Sequence, residues 1–251
     1  FRQEEGSRLV FNAHAMKDGL GIGRENGPVF NEKRSDGSLG DTFFVRTSST
    51  ERTKKQVIEA YKKLLSRGLD FKEILVLTAT NGGDLGTLNL NHQLQRACFK
   101  HSDNDPVLIR KRDNSAFYIG DPVIQLINDY ENNVFNGETG VVVAINNLPN
   151  GSKSMDVCFE SEDPNEEDRI VTYSGFKVYD INLAYAITIH KSQGSEARAV
   201  IMVVDSIHTR SLNRSLIYTG YTRTKELNII IGQEDTFNQA IANTSNLERV
   251  S

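Results

Sequence analysis

Apolar and polar residues follow one rhythm at the two ends of this chain and another in its middle. Near the start, Leu9, Val10, Ala13 and Met16 recur at helical spacing behind Ser7, whose hydroxyl is placed to cap them. A polar, glycine-rich stretch breaks the pattern from Gly19 to Gly40. Thr42-Phe-Phe-Val reads as a strand. Ser48-Ser-Thr-Glu51 has the form of a capping box, and Val57, Ile58, Tyr61, Leu64 and Leu65 give the helix behind it a buried face. Ile74-Leu-Val-Leu-Thr78 is a continuous apolar run, as a parallel strand covered on both sides would show. Asn81-Gly-Gly-Asp84 then turns the chain into a further helix with Leu85, Leu88 and Leu94 among its apolar positions.

The rhythm changes near Pro106. Short strands are expected at 107–110, 123–127, 141–145, 155–159 and 170–173, with hairpin-type turns at Asn136-Gly137, Asn150-Gly151 and Ser174-Gly175. The acidic stretch from Glu160 to Asp168 reads as a solvated hairpin tip and a poor surface for a phosphate backbone. After Leu183 the first rhythm returns. A helix is expected over Ala184–Ser192 and ended by Gly194, then a buried strand at Ala199–Val204. A helix around Arg210–Lys225, a strand at Leu227–Ile231 and a last helix after Asp235 follow. The pattern predicts an α/β domain with a mainly parallel sheet over 1–105 and 181–251, interrupted by a small β-barrel over 106–180.

With 251 residues, 38% hydrophobic and 25% charged, the chain has the composition of an ordinary soluble protein with a real core. No apolar run approaches the ~20 residues needed to span a bilayer, so no membrane partner and a cytoplasmic setting are expected. Cys98 and Cys158 are far apart, without a CxxC or a histidine cluster. They read as two half-buried reduced thiols, with no disulfide framework and no metal site. A net charge of −4 does not favour nucleic-acid binding for the chain as a whole, although local fields decide where a phosphate backbone sits. The chain begins at Phe1 rather than Met, and reads as a fragment.

The candidate chemistry gathers in Ala184–Glu196, AYAITIHKSQGSE, and Leu216–Glu226, LIYTGYTRTKE. On the helical reading, Ala184, Ile187 and Lys191 share one side while Thr188 and His190 project elsewhere. A glycine past the helix end lets the backbone approach a ligand and exposes N–H donors. Glu196 then begins the next buried strand, where a carboxylate can accept from a hydroxyl. A lone His-Lys pair is an ordinary surface feature, and a lone arginine at a helix end caps carbonyls. The combination is more telling: helix, glycine and acid, buried strand, then a helix ending in Thr222-Arg223, all on one parallel sheet whose loops collect functional groups.

These residues resemble superfamily 1 helicases of the RecD-like form. Thr188-Ile-His-Lys-Ser-Gln-Gly-Ser-Glu196 resembles motif V (T-x-H-K-S-Q-G-x-E), and Tyr218-Thr-Gly-Tyr-Thr-Arg-Thr-Lys225 resembles motif VI. Phe1-Arg-Gln3 with Asn12-Ala-His14 resembles motif IV and its helix, so the resemblance covers the whole chain in order. Val76–Thr80 and Val134–Gly140 fall where the family has a DNA-contacting strand end and the start of an SH3-like insert. The resemblance implies a RecA-like parallel sheet with helices on both faces, interrupted by an SH3-like β-barrel. It also implies that Arg223 is an arginine finger and Arg2 a second γ-phosphate contact, both stabilising the transferring phosphoryl group. Gly194 and Glu196 would lie near the γ-phosphate and ribose. Thr188, His190 and Lys191 would face single-stranded DNA or link it to the nucleotide, with Thr78 and Thr80 on DNA phosphates.

The chain has no G-x-x-x-x-G-K-[ST] run and no Walker B-type acidic pair. The resemblance assigns both, with the Mg²⁺ ligands, to an N-terminal RecA-like domain of the same parent protein, so ATP with Mg²⁺ would be shared with that domain. The reading is the C-terminal motor domain of a 5′→3′ ATP-dependent DNA helicase of DNA repair and recombination, inactive as an isolated piece. Three alternatives stand beside it: an exodeoxyribonuclease V alpha-like subunit inside a nuclease/helicase complex, a conjugative relaxase-helicase, and a non-catalytic nucleic-acid-binding module built on a helicase half.

Overall fold

Helix α1 (Arg8–Lys17) starts where Ser7 Oγ accepts from the Leu9 amide at 3.2 Å, and it buries Leu9, Ala13 and Met16 as its spacing predicts. Here a computed structural model describes residues 7–33, 37, 40–99, 102, 104–161, 165 and 167–244. Strand β1 (Thr42–Arg46) leads into α2 (Thr50–Ser66), which buries Val57, Tyr61 and Leu64. Its cap is Ser49 rather than Ser48, accepting from the Arg52 amide at 3.3 Å. Arg52 therefore stands where a capping box needs the acid, and the box read at Ser48–Glu51 does not form. Strand β2 (Ile74–Thr78) and helix α3 (Thr87–Cys98) follow; Leu85 is buried ahead of the helix, and Leu88 is exposed.

The middle of the chain is antiparallel. Strands β3 (Val107–Arg110) and β4 (Ser115–Tyr118) form a hairpin. Strands β5 (Pro122–Gln125), β6 (Thr139–Asn147), β7 (Lys153–Phe159), β8 (Arg169–Ser174) and β9 (Ile181–Leu183) form a five-stranded sheet in the order β8-β7-β6-β5-β9. Strands β4 and β9 were not expected from the sequence. Gly151, at φ 78°, turns β6 into β7 as its Asn-Gly signal predicts. Ser174-Gly175 makes no hairpin; it opens a 3₁₀ turn, Gly175–Asp180, that carries the chain to β9 beside β5. Asp121, 1% exposed, accepts from the Tyr185 hydroxyl at 2.6 Å, Gln95 Nε2 at 2.6 Å and the Tyr118 amide at 2.8 Å. These bonds hold the second half of α3 to the β-strands of this unit.

The parallel unit resumes with β10 (Ala186–Thr188), β11 (Ala197–Val204), α4 (Arg214–Tyr221), β12 (Thr224–Gly232) and α5 (Glu234–Ala242). The strand order is β1-β12-β11-β2-β10, with every pairing parallel. The helix expected over Ala184–Ser192 is absent. Ala186–Thr188 pairs instead with Val76–Thr78, and a 3₁₀ turn, Ile189–Ser192, follows. Tyr185 to Ile189 are all buried, which an amphipathic surface helix cannot achieve. The helix expected over Arg210–Lys225 is shorter, because Asn213 Oδ1 caps the Leu216 amide at 2.9 Å and Thr224 already belongs to β12.

Along the sheet, the β1-to-β2 connection runs one way and the β11-to-β12 connection runs back. Right-handed crossovers then put α2 and α4 on opposite faces. The chain divides into a compact unit that ends at Leu90 and resumes at Ala186, and a second unit over Asn91–Tyr185. Among the described residues, Cys98 and Cys158 are half-buried and form no disulfide. Among the described residues, no helix is long and apolar enough to cross a membrane.

Candidate functional site

Parallel strands give the sheet a carboxyl edge and an amino edge, and one short connection joins them. Thr188 closes β10 at the carboxyl edge, and Ala197 opens β11 at the amino edge. Residues 189–196 return the chain between the edges through the 3₁₀ turn and a glycine corner. Thr188 Oγ1 caps the turn, accepting from the Lys191 amide at 3.4 Å, and Ser192 Oγ donates to the Ile189 carbonyl at 2.7 Å. Gly194 sits at φ 93°, in the left-handed region, and a Cβ there would meet no atom within 4 Å. The corner needs glycine for its backbone, not for space.

At the amino edge, Arg223 follows α4. Its Nε donates to the Thr219 carbonyl at 3.2 Å, Nη1 to the Ser195 carbonyl at 3.4 Å and Nη2 to Thr222 Oγ1 at 3.4 Å. Two of these contacts are long, and a guanidinium carries five N–H donors, so the group keeps donor capacity for an anion. The neighbouring Arg198 does not: it is forked onto Glu226 at 3.0 Å and bound to Glu73 at 2.7 Å, tying the starts of β2, β11 and β12 together. Glu196 departs from expectation. It precedes β11 rather than opening it, and its exposed carboxylate lies 3.8 Å from Lys225 Nζ instead of accepting from a hydroxyl. A loosely held guanidinium beside a glycine corner suits the phosphates of a nucleotide. Arg2, the second arginine expected on a phosphate, lies outside the described residues.

At the carboxyl edge, Thr80 Oγ1 lies 3.0 Å from the Gly82 carbonyl and 3.1 Å from His208 Nε2, and the residue keeps partial exposure. Thr78 is different. It is fully buried, and its hydroxyl donates to the Leu85 carbonyl at 2.6 Å, so it shapes the loop and offers no surface to a phosphate. His190 is exposed and lines a shallow polar depression with Gln193, Asn213, Ser215, Leu216 and Thr219. Lys191 is half-buried, and burial pushes its ammonium below the ordinary lysine value.

Two residues of this edge were missed. Asp205, wholly buried, accepts from Thr53 Oγ1 at 2.7 Å, Gln233 Nε2 at 2.8 Å, Thr50 Oγ1 at 3.0 Å and the Ile207 amide at 3.2 Å. It thereby ties the first turn of α2 to the loops that follow β11 and β12. The available signal was an acid directly after the apolar run Ala199–Val204. His208, also buried, carried no signal beyond its residue type.

Residues 183–231 match the family model of the UvrD-like helicase C-terminal domain, and residues 90–159 match that of the ATP-dependent RecD-like DNA helicase SH3 domain. The chain belongs to the RecD-like superfamily 1 helicases. The C-terminal-domain match runs from β10 into β12 of the parallel unit, and the SH3-domain match covers β3 to β7 of the antiparallel unit. Among relatives, it is 32% identical over 183 residues to the ATP-dependent RecD2 DNA helicase of Deinococcus radiodurans, covering 70% of this chain and 23% of that protein. It is also 32% identical over 166 residues to the RecBCD enzyme subunit RecD of Mycolicibacterium smegmatis, covering 66% of this chain and 26% of that one. The chain thus spans about a quarter of the length of these curated relatives. A crystal structure of a Bacteroides Pif1 helicase in complex with ADP-AlF3 and ssDNA aligns over 99% of this RecD-like chain and 54% of its own, at 17% identity and a TM-score of 0.48.

Proposed function

We propose that this RecD-like chain is the second motor domain of an ATP-dependent DNA helicase that moves 5′→3′ along a single strand. One observation carries the reading: residues 189–196 join an amino edge bearing Arg223 to a carboxyl edge bearing Thr80 and His190. A displacement of either edge is transmitted through one short, hydrogen-bonded connection.

In this reading, ATP with Mg²⁺ lies between this domain and an N-terminal RecA-like domain of the same parent protein, which supplies the phosphate-cradling loop and the metal ligands. ATP supplies the free energy of phosphoryl transfer. Arg223 donates its remaining N–H groups to the phosphates, where negative charge is stabilised as the bond to the leaving group breaks. Arg2 takes part as a second cationic contact. The N–H groups around Gly194 approach the nucleotide, and Glu196 faces its ribose side. Thr188 acts through the turn it caps, fixing Lys191 and His190 toward the strand, while Thr80 offers its hydroxyl to a DNA phosphate. Closure of the two domains brings Arg223 onto the nucleotide and moves the strand-binding edge with it. A second reading, in which the same motor works within a nuclease/helicase complex, is favoured by relatives named as RecBCD subunits.

A directional unwinding assay on the parent protein, with 5′- and 3′-tailed duplexes, tests the proposal. Unwinding from 5′ tails alone, dependent on ATP, is the expected result. Unwinding from 3′ tails alone would overturn the polarity, and single-strand binding without any ATP hydrolysis would favour the non-catalytic module.

A further inference from the structure

His208 is a buried titratable side chain that the proposed motor leaves unused. It is 3% exposed; its Nε2 lies 3.1 Å from Thr80 Oγ1, and its Nδ1 has no hydrogen-bond partner among the described residues. Thr80 has one hydroxyl proton, and the Gly82 carbonyl, 3.0 Å away, can only accept it. With that proton committed, Thr80 Oγ1 must receive one from the imidazole. The ring is then the Nε2–H tautomer with a bare Nδ1. Burial lowers the imidazole pKa against the opposing charge of Asp205, which keeps the ring neutral with a single N–H to give. A bare, buried nitrogen is costly, and an apolar residue of similar size would avoid it. The imidazole therefore has a use beyond filling space.

We propose that His208 is a positioning residue for single-strand binding: its Nε2–H occupies the acceptor side of Thr80 Oγ1, so the hydroxyl can meet a phosphodiester oxygen only as a donor. The strand's phosphate takes the place of the Gly82 carbonyl as acceptor, and no other bond changes. Without the imidazole, the hydroxyl is free to accept from water and to turn a lone pair toward the phosphate. A chain of donors running from imidazole to hydroxyl to phosphate also polarises each bond in turn. This inference rests on the reading of Thr80 as a single-strand contact.

The test uses the parent helicase and a fluorescent oligothymidylate, with equilibrium affinity measured by anisotropy at fixed salt without nucleotide. Glutamine carries its Nε2 the same number of bonds from Cβ as histidine does, and asparagine carries its amide one bond short. Thr80→Val and His208→Asn should each weaken binding about tenfold, while His208→Gln stays within about twofold of the unaltered protein. His208→Asn added to Thr80→Val should cost nothing further. Nitrogen-15 histidine spectra should report the Nε2–H tautomer, and they decide the matter if His208→Asn does not fold. An Nδ1–H ring overturns the inference. So does unchanged binding by His208→Asn where Thr80→Val is weak, and the reading of Thr80 then stands. Unchanged binding by Thr80→Val overturns both.

Discussion

Arg223 Nη1 points at the carbonyl of Ser195, 3.4 Å away, and the carbonyl of Arg223 in turn accepts the Ala197 amide at 3.0 Å. The end of one helicase motif is thereby bonded on both sides of Glu196 to the end of another. The contact holds the guanidinium beside the glycine corner without using all its donors. Replacing Arg223 with Ala should lower DNA-stimulated ATP hydrolysis by the parent protein about 10³-fold. Replacement with Lys keeps the charge but loses the planar fork, and should still cost more than about tenfold. Unfolding midpoints should barely move, since the side chain is partly exposed and its bonds are long. Steady-state rates at saturating single strand provide the check; full activity in the Ala variant would remove Arg223 from the reaction.

Gly194 separates the 3₁₀ turn from β11 at φ 93° with nothing crowding its Cβ position. An alanine there meets no clash, so its cost is the left-handed backbone alone, about 1–2 kcal/mol. Relief of that strain would swing the neighbouring N–H groups away from Arg223. Gly194→Ala should therefore lower ATP turnover by more than its small loss of stability explains. Urea unfolding read beside ATPase rates separates the two effects, and wild-type turnover would show that the corner does not need its geometry.

Gly220 has a different reason to be glycine. A Cβ there would come within 2.8 Å of Met202 Sδ and 3.4 Å of Ile189, so α4 rests directly on β11 and on the 3₁₀ turn. Gly220→Val should cost about 1–3 kcal/mol by overpacking. Because Arg223 lies one turn further on, the same variant should weaken ATP turnover, which thermal melts and rate measurements would reveal together. A larger side chain tolerated without either effect would mean that α4 does not set the arginine's position.

The parallel sheet was legible because its inner strands are long apolar runs: Ile74–Thr78 and Ala199–Val204 announce themselves without help from the rest of the chain. Strand β10 was not legible. Three residues cannot show a period, and an alanine-rich start beside Ile187 fits a helix as well as a strand. Only the pairing with Val76–Thr78, more than a hundred residues earlier, decides it. The site divides in the same way. Gly194 and Arg223 could be named from sequence because a tight turn and a guanidinium have few substitutes. Thr78 could not be told from Thr80, since which of two hydroxyls faces inward depends on how Leu85 closes the loop. Asp205 and His208 stayed hidden because their partners, Thr50, Thr53, Gln233 and Thr80, come from distant segments.

Asp205 makes the last prediction, one of pH. Burial pushes its carboxyl up, but the hydrogen bonds from Gln233, Thr53, the Ile207 amide and Thr50 outweigh burial and hold it below the ordinary aspartate value. A carboxylate whose pKa is lower in the folded chain than the ~3.9 of the unfolded one contributes its stability in full well above that value. The contribution is lost as pH falls through the folded pKa. Asp205→Asn keeps the shape, removes the charge and turns an NH₂ toward donors, and should cost about 3 kcal/mol at pH 7. At a pH low enough to pass the lowered folded pKa, the unaltered protein protonates the same group, and the gap between the two should narrow. Urea midpoints at both pH values give the answer. A gap of equal size at the two would mean that the charge on Asp205 is not what binds the first turn of α2 to the loops after β11 and β12, and that its hydrogen bonds hold equally well to a neutral side chain.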